Sequence, residues 1–376
     1  VEEMLASGRK SFYEIKDGEM TYWCPLQKKA LVHKPSKKSL NLNLYKNPKN
    51  TLKRDWSASI HDICDGVLNV EFHSIFVPAF NPIDRSINEI VKHALDMLET
   101  GKYKGLVIGH QGKNWSAGAN VNDFKMAIDS GNLQVMDAGV KAMQDVTQRI
   151  RHSKYPVITC PFNFALGGGF EFYACSSHTV ASGELYAGLV EAMQGLIPGA
   201  GGHLRVLLNL LENNDAKNVN MNIGRQALGL INPMTVSRSA TDALKKGWLR
   251  KSDTIAMNSQ HLLALGKSKV LELSDGGYQS PKYRDDLTLP GMTLRTMASV
   301  GAKAMKAQGK ISDHDGLVAS KTAYVLSGGK KGGLMSKVDE QHLLDVEREC
   351  FMSLAGEPKT QDRIAHFLKT GKPLRN

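Results

Sequence analysis

Three short stretches of this chain carry residue types that together suit the stabilisation of a developing oxyanion. Leu166-Gly167-Gly168-Gly169-Phe170-Glu171 sets three glycines ahead of a glutamate. Tyr186-Ala187-Gly188-Leu189-Val190-Glu191 ends on a second glutamate, just before Gly195-Leu196-Ile197-Pro198-Gly199-Ala200-Gly201-Gly202. Asn114-Trp115-Ser116-Ala117-Gly118-Ala119-Asn120 follows the apolar run Gly105-Leu106-Val107-Ile108-Gly109. Consecutive glycines let two backbone N–H groups turn toward a ligand oxygen without side-chain obstruction. They also free the chain to enter a helix, whose positive end favours an anion. Taken singly, each feature has a bland reading: a flexible turn, a glutamate complementing a helix dipole, a solvated surface acid. Their joint occurrence reads as an oxyanion site flanked by two carboxyl groups, which is an enzyme's site.

Strands and helices must alternate to bring these turns together. Val67–Phe72 alternates like a half-buried strand, and Leu106–Ile108 reads as a buried one. Ser86 is the expected cap of a helix with Ile87, Ile90, Val91, Ala94, Leu95 and Leu98 on one face, stopped near Gly101. A helix over Val135–Arg151 and the strand Val157–Cys160 lead into the glycine turn. A further helix begins at Gly169, then a strand at His178–Ala181 and a helix from Gly202 through Leu211. Asn213–Met234 loses periodicity and reads as a loop-rich excursion. The tail is helical, with Ser312 and Asp315 as a capping box, helices over Asp339–Leu354 and Lys359–Lys369, and Gly371 as a stop. Strand–helix alternation means α/β, with the chemistry on strand-to-helix turns.

Composition narrows the class. At 376 residues, with 41% hydrophobic and 23% charged residues, the chain can bury a substantial core. No apolar run approaches the ~20 residues that span a bilayer, and no signal stretch opens the chain. Five cysteines, widely spaced and without a C-x-x-C pair, read as reduced thiols of a cytoplasmic protein. The histidines lack metal-ligand spacing, so no metal is expected. No G-x-G-x-x-G follows a strand, so no dinucleotide cofactor is expected either. Gly266-Lys267-Ser268 fails as a phosphate loop, because His261 stands where its first glycine belongs. The net charge of +11 is concentrated in residues 1–54, with 12 Lys/Arg against 5 Asp/Glu. That segment reads as a solvated basic linker rather than a nucleic-acid arm. Trp23 and Trp115 could stack on bases, but packing is the better reading.

The three motifs resemble the crotonase (enoyl-CoA hydratase/isomerase) superfamily, whose pattern runs S-A-G-A-(D/N), then GGG-x-E, then a glutamate shortly before P-G-x-G-G. The resemblance implies oxyanion-hole donors at the N–H groups of Ala119 and Gly168, and catalytic acids at Glu171 and Glu191. It implies substrate contacts at Ser116, Ala117, Gly118 and Gly199. Val190 stands where many members have proline, and Asn120 where aspartate is common; neither removes a catalytic group. Val338–Asp345, Gly356–Gln361, Gly371–Asn376 and the opening Met4–Tyr13 resemble, more narrowly, the C-terminal half of bacterial fused 3-hydroxyacyl-CoA dehydrogenase/enoyl-CoA hydratases. On that resemblance the NAD-binding half lies ahead of residue 1.

The implied architecture is a basic linker over 1–54, an α/β crotonase-like domain with a ββα spiral core over 55–280, and a helical C-terminal region over 281–376. The implied activity is that of a lyase hydrating trans-2-enoyl-CoA to L-3-hydroxyacyl-CoA in fatty-acid beta-oxidation, with no cofactor beyond the CoA of its acyl-CoA thioester substrate. Glu171 would activate water and Glu191 deliver the proton to Cα; exchanging those roles leaves the sequence reading intact. The rivals are a double-bond isomerase, a basic RNA-binding module, and a docking subunit for a dehydrogenase whose own site is idle. A 3-hydroxyacyl-CoA dehydrogenase is the expected partner, and self-association is left open along with acyl-chain length.

Overall fold

The computed structural model describes residues 1–16, 18–33, 36 and 38–376; the linker expectation at Asp17, Lys34, Pro35 and Lys37 lies outside the described residues. A seven-stranded sheet runs in the order Thr254–Ala256, His178–Ser182, Val157–Thr159, Gly105–Ile108, Val67–Phe72, Ala58–Asp62, Thr51–Arg54. It is parallel from Thr254–Ala256 as far as Val67–Phe72, and the last two strands join antiparallel. A second, two-stranded sheet pairs Asn163–Leu166 with Leu185–Gly188 in parallel, and Ser116 bridges to Ala165 beside it.

The chain therefore winds as a ββα spiral. One turn comprises Gly105–Ile108, the Ser116 bridge and the helix Leu133–Arg151. The next comprises Val157–Thr159, Asn163–Leu166 and the helix Gly168–Ala174, and a third His178–Ser182, Leu185–Gly188 and the helix Gly202–Asn213. Parallel register stacks equivalent positions of successive turns: Ala165 lies beside Ser116, and Leu166 beside Gly188. Whatever follows the second strand of each turn is consequently brought to one place.

Val67–Phe72 differs from the half-buried expectation, since all six residues are buried. Its polar positions find internal partners, though the Asn69 Oδ1 is left without one: Asn69 Nδ2 donates to Val107 O and Gly109 O, and Glu71 pairs with Lys46 and His61. The helix Arg85–Glu99 buries the expected apolar face, but its cap is Asp84, whose Oδ1 accepts from Ile87 N at 2.9 Å. Asn213–Met234 is corrected more substantially. It contains the helix Met221–Ile231, capped by Asn220, whose asparagine-rich flank and internal glycines hide its periodicity.

The segment 1–54 is not a featureless linker. Tyr13–Lys16, Glu19–Cys24 and Lys29–Val32 form an antiparallel sheet, and Trp23 is buried there rather than displayed to a base. Leu42 is fully buried in the main core, and Thr51–Arg54 is the edge strand of the main sheet. Trp115 is also fully buried, donating its indole N–H to Gly169 O.

The C-terminal region consists of the helices Met292–Ala307, Asp313–Leu326, Glu340–Ala355 and Pro358–Thr370. The capping box of Ser312 and Asp315 opens the second of these. An apolar cluster including Met136, Val140, Leu196, Phe351, Leu354 and Ile364 packs the last helices onto the spiral. Among the described residues, no helix is long and apolar enough to cross a membrane.

Candidate active site

The turns after the three second-sheet positions line one cavity of about 120 Å³. Its walls include Ala117, Gly118 and Ala119 from the first turn, Gly167, Gly168 and Glu171 from the second, and Glu191 and Gly199 from the third. The Ala119 and Gly168 backbones adjoin: a Cβ built on Gly168 would stand 3.3 Å from Ala119 N. Neighbouring N–H groups are engaged, Gly118 with Ser116 Oγ, Asn120 with Ile83 O and Gly167 with Gly188 O. Among the described residues, no protein acceptor pairs with the N–H of Ala119 or of Gly168.

Gly167 is required by conformation and by space. Its φ of +51° lies in the left-handed region, and a Cβ there would come within 2.8 Å of Glu191 Oε1. Ser116 differs from the expected substrate contact. It is fully buried, and its Oγ holds the Gly118 N–H at 3.3 Å, so it shapes the loop from behind instead of lining the cavity.

Glu171 is 2% exposed, and its Oε1 accepts from Ala200 N and Gly202 N, both at 2.8 Å. Its other oxygen takes no hydrogen bond from a described protein group. Glu191 opens the short 3-10 turn Glu191–Gln194, and its Oε2 is buried without a partner. Burial, followed by the charges of Glu191 and Glu347, raises the Glu171 carboxyl well above the ordinary range. Burial pushes Glu191 up to about 7. The two acids therefore compete for a proton and titrate as a pair. With charge on Glu191, Glu171 holds the proton; with the proton on Glu191, the two N–H donors favour charge on Glu171.

Gly202 leaves room for this arrangement. A Cβ there would meet Pro198 Cβ at 2.6 Å and Glu171 Oε1 at 2.9 Å. Gly202→Ala should displace the carboxyl, and misplacement of a reacting group by ~1 Å can cost up to about 100-fold. A turnover loss of at least about tenfold, with a much smaller change in KM, is the expected steady-state result.

Several wall residues escaped the sequence reading. Met143 comes from the helix Leu133–Arg151, Phe351 from Glu340–Ala355, and Phe367 from Pro358–Thr370. Phe351 stacks edge-on with Phe124 at 5.7 Å and would lie 3.1 Å from a Cβ on Gly199. Glu347, like Glu171, is a buried acid, and it lies near the pair. The available signal was its register: it shares an apolar helical face with Leu343, Leu344, Cys350, Phe351 and Leu354.

A family model described as enoyl-CoA hydratase/isomerase matches residues 63–247. Over 376 residues, all of this chain and 46% of the relative, the chain is 37% identical to a Bacillus subtilis (strain 168) protein named "Probable 3-hydroxyacyl-CoA dehydrogenase". Over 305 residues, 81% of this chain and 38% of the relative, it is 28% identical to a Rickettsia felis protein named for a fatty acid oxidation complex trifunctional enzyme. The chain thus spans less than half the length of these relatives. Among solved structures, an enoyl-CoA hydratase from Rhodobacter sphaeroides 2.4.1 superposes with a TM-score of 0.59 at 16% identity, covering 85% of this chain and 92% of that one. That likeness is one of fold. Motifs, family match and fold agree: residues 63–247 match the enoyl-CoA hydratase/isomerase family, and the chain has the crotonase fold.

Proposed function

We propose that the chain hydrates trans-2-enoyl-CoA thioesters to L-3-hydroxyacyl-CoA. The observation that carries this reading is the pairing of two buried carboxyl groups with two unengaged N–H groups around one cavity. Glu171, anchored through Oε1, uses its free oxygen to take a proton from water. The water oxygen bonds to Cβ, the π electrons move toward Cα, and negative charge gathers on the thioester oxygen. The Ala119 and Gly168 N–H groups meet that charge; one such donor typically contributes about 2.7–4 kcal/mol. Glu191, which has no partner for Oε2, gives its proton to Cα. Proton exchange then resets the pair.

Double-bond isomerisation is the alternative within the family. It needs a proton shuttle but no activated water, and retention of both acids favours hydration. The product is a substrate for 3-hydroxyacyl-CoA dehydrogenase chemistry. The names of the relatives support a place in fatty-acid oxidation beside such a partner; a cytoplasmic location rests only on the reading of the cysteines as reduced thiols. The dehydrogenase step itself is assigned outside this chain, so NADH should not bind to it.

The deciding experiment is steady-state turnover of crotonyl-CoA, followed by loss of the conjugated enone absorbance. Conversion of 3-enoyl-CoA without hydration of any 2-enoyl-CoA would replace hydratase by isomerase. Acid–base chemistry by the pair adds a sign. Below about pH 7, where Glu191 also becomes protonated, neither acid can serve as base. As pH falls through that value, kcat/KM should decline, approaching about tenfold per unit, because this profile reports the free enzyme's groups. A flat profile down to pH 5 would count against the pair as the acid–base machinery.

A further inference from the structure

Four successive N–H groups at the start of the helix Gly202–Asn213 are divided between two carboxyl groups from distant parts of the chain. Ala200 and Gly202 donate to Glu171 Oε1. Gly201 donates to Glu347 Oε1 at 2.6 Å, and His203 N to Glu347 Oε2 at 3.0 Å. The His203 ring adds a contact from Nδ1 to Glu347 Oε2 at 2.7 Å. Glu347 is 1% exposed and arrives from the C-terminal helix Glu340–Ala355. Gly201, which donates to Glu347 while its neighbours on either side donate to Glu171, has φ +103°, and its backbone turns alternate N–H groups to opposite partners. Neither carboxyl can shift without moving the turn that holds the other.

We propose that Glu347 is a positioning residue for Glu171: by fixing the Gly201 and His203 N–H groups, it aims those of Ala200 and Gly202 at the Glu171 carboxyl. The proposal rests on the hydratase reading for Glu171. Its second consequence is electrostatic. Glu347 carries negative charge beside Glu171 and Glu191 and raises the proton affinity of both. The other charged or titratable groups around it are His203 and Arg205 on the facing helix and Cys350 on its own. Arg205 Nε lies 3.9 Å from where a Cβ of Gly201 would stand, and the thiol of Cys350 feels the Glu347 charge.

The test compares Glu347→Gln and Glu347→Asp with the unmodified chain. Glu347→Gln removes the charge and places an amide N–H against the donors. It should lower kcat by at least about tenfold with KM changed less than about threefold. It should also move the acid limb of kcat/KM toward lower pH by about one unit, the direction set by loss of a nearby like charge. Glu347→Asp keeps the charge with a shorter reach. Its limb should stay in place while kcat falls by an intermediate factor.

An unchanged kcat in Glu347→Gln overturns the proposal. So does a kcat loss with an unmoved limb, which marks a merely structural role. If thermal melting shows that Glu347→Gln does not fold, Glu347→Asp decides alone: a lower kcat with an unmoved limb supports the proposal, and an unchanged kcat overturns it. A substrate-free readout separates this from the hydratase reading. Carbon-13 NMR of glutamate-labelled protein, assigned with Glu171→Gln and Glu191→Gln, should show the pair titrating lower in Glu347→Gln. An unmodified chain that fails to hydrate any enoyl-CoA, with that NMR shift intact, refutes the activity and leaves the positioning contact standing.

Discussion

Glu171→Gln should lower kcat for hydration of a 2-enoyl-CoA by about 10²–10⁴-fold, the usual contribution of general acid–base groups, and Glu191→Gln should do the same. Glutamine keeps the size of the side chain, and its carbonyl oxygen can still accept from Ala200 N and Gly202 N. What it removes is proton exchange. CoA thioester binding, measured separately by calorimetry, should therefore survive. The double variant should be little worse than the poorer single one, because groups acting as a unit give non-additive losses. Asp339→Asn is the control: Asp339 caps the helix Glu340–Ala355 through His342 N at 2.7 Å, a role asparagine also fills. The same panel assayed on 3-enoyl-CoA separates the chemistries, since an isomerase would tolerate loss of one acid. Full hydration by Glu171→Gln would refute the proposed mechanism at its centre.

The catalytic turns were legible in the sequence because each is local. Three glycines and an acid within six residues, or an acid just before Pro198–Gly202, state their own backbone geometry. The α/β class was legible for a similar reason, since helices such as Arg85–Glu99 and Leu133–Arg151 bury one continuous face. What the sequence hid was assembly across distance. Glu347, Phe351 and Phe367 reach the site from helices far down the chain, and no local spacing connects an acid at 347 with a glycine at 201. Met221–Ile231 was hidden by its own composition. Gly224 lowers helical propensity, yet a Cβ there would lie 3.0 Å from Pro290 Cγ, so close packing against a neighbour explains what propensity alone discourages. Polarity misled as well. Asn69 and Glu71 made Val67–Phe72 look half exposed, whereas both are buried, Asn69 donating through Nδ2 and Glu71 paired with Lys46 and His61.

Residues 1–54 are where that misdirection has the largest structural consequence. Read as a basic linker, the segment should be dispensable; the structure reverses this for its second part. Leu42 N donates to Gln111 Oε1 at 2.8 Å, and Gln111 Nε2 returns a bond to Leu40 O at 3.1 Å. Lys46 Nζ sits 2.5 Å from Glu71 Oε1, supplying a counter-charge to a carboxylate that is only 6% exposed. Thr51–Arg54 covers the edge of Ala58–Asp62. Cutting the chain after Arg54 should therefore leave an uncovered strand edge, a buried acid without its lysine and a core short of Leu42. The expected product aggregates or melts far below the full chain. Leu42→Ala isolates one part of this effect and should cost about 2–5 kcal/mol in denaturant unfolding. Removal of residues 1–38 is the informative contrast. Among the described residues, the hydrogen bonds of the three small strands are made within residues 1–33. That sheet should therefore come away with only a small change in melting temperature. Equal and slight effects from both truncations would show that Leu40–Arg54 does not hold the core together.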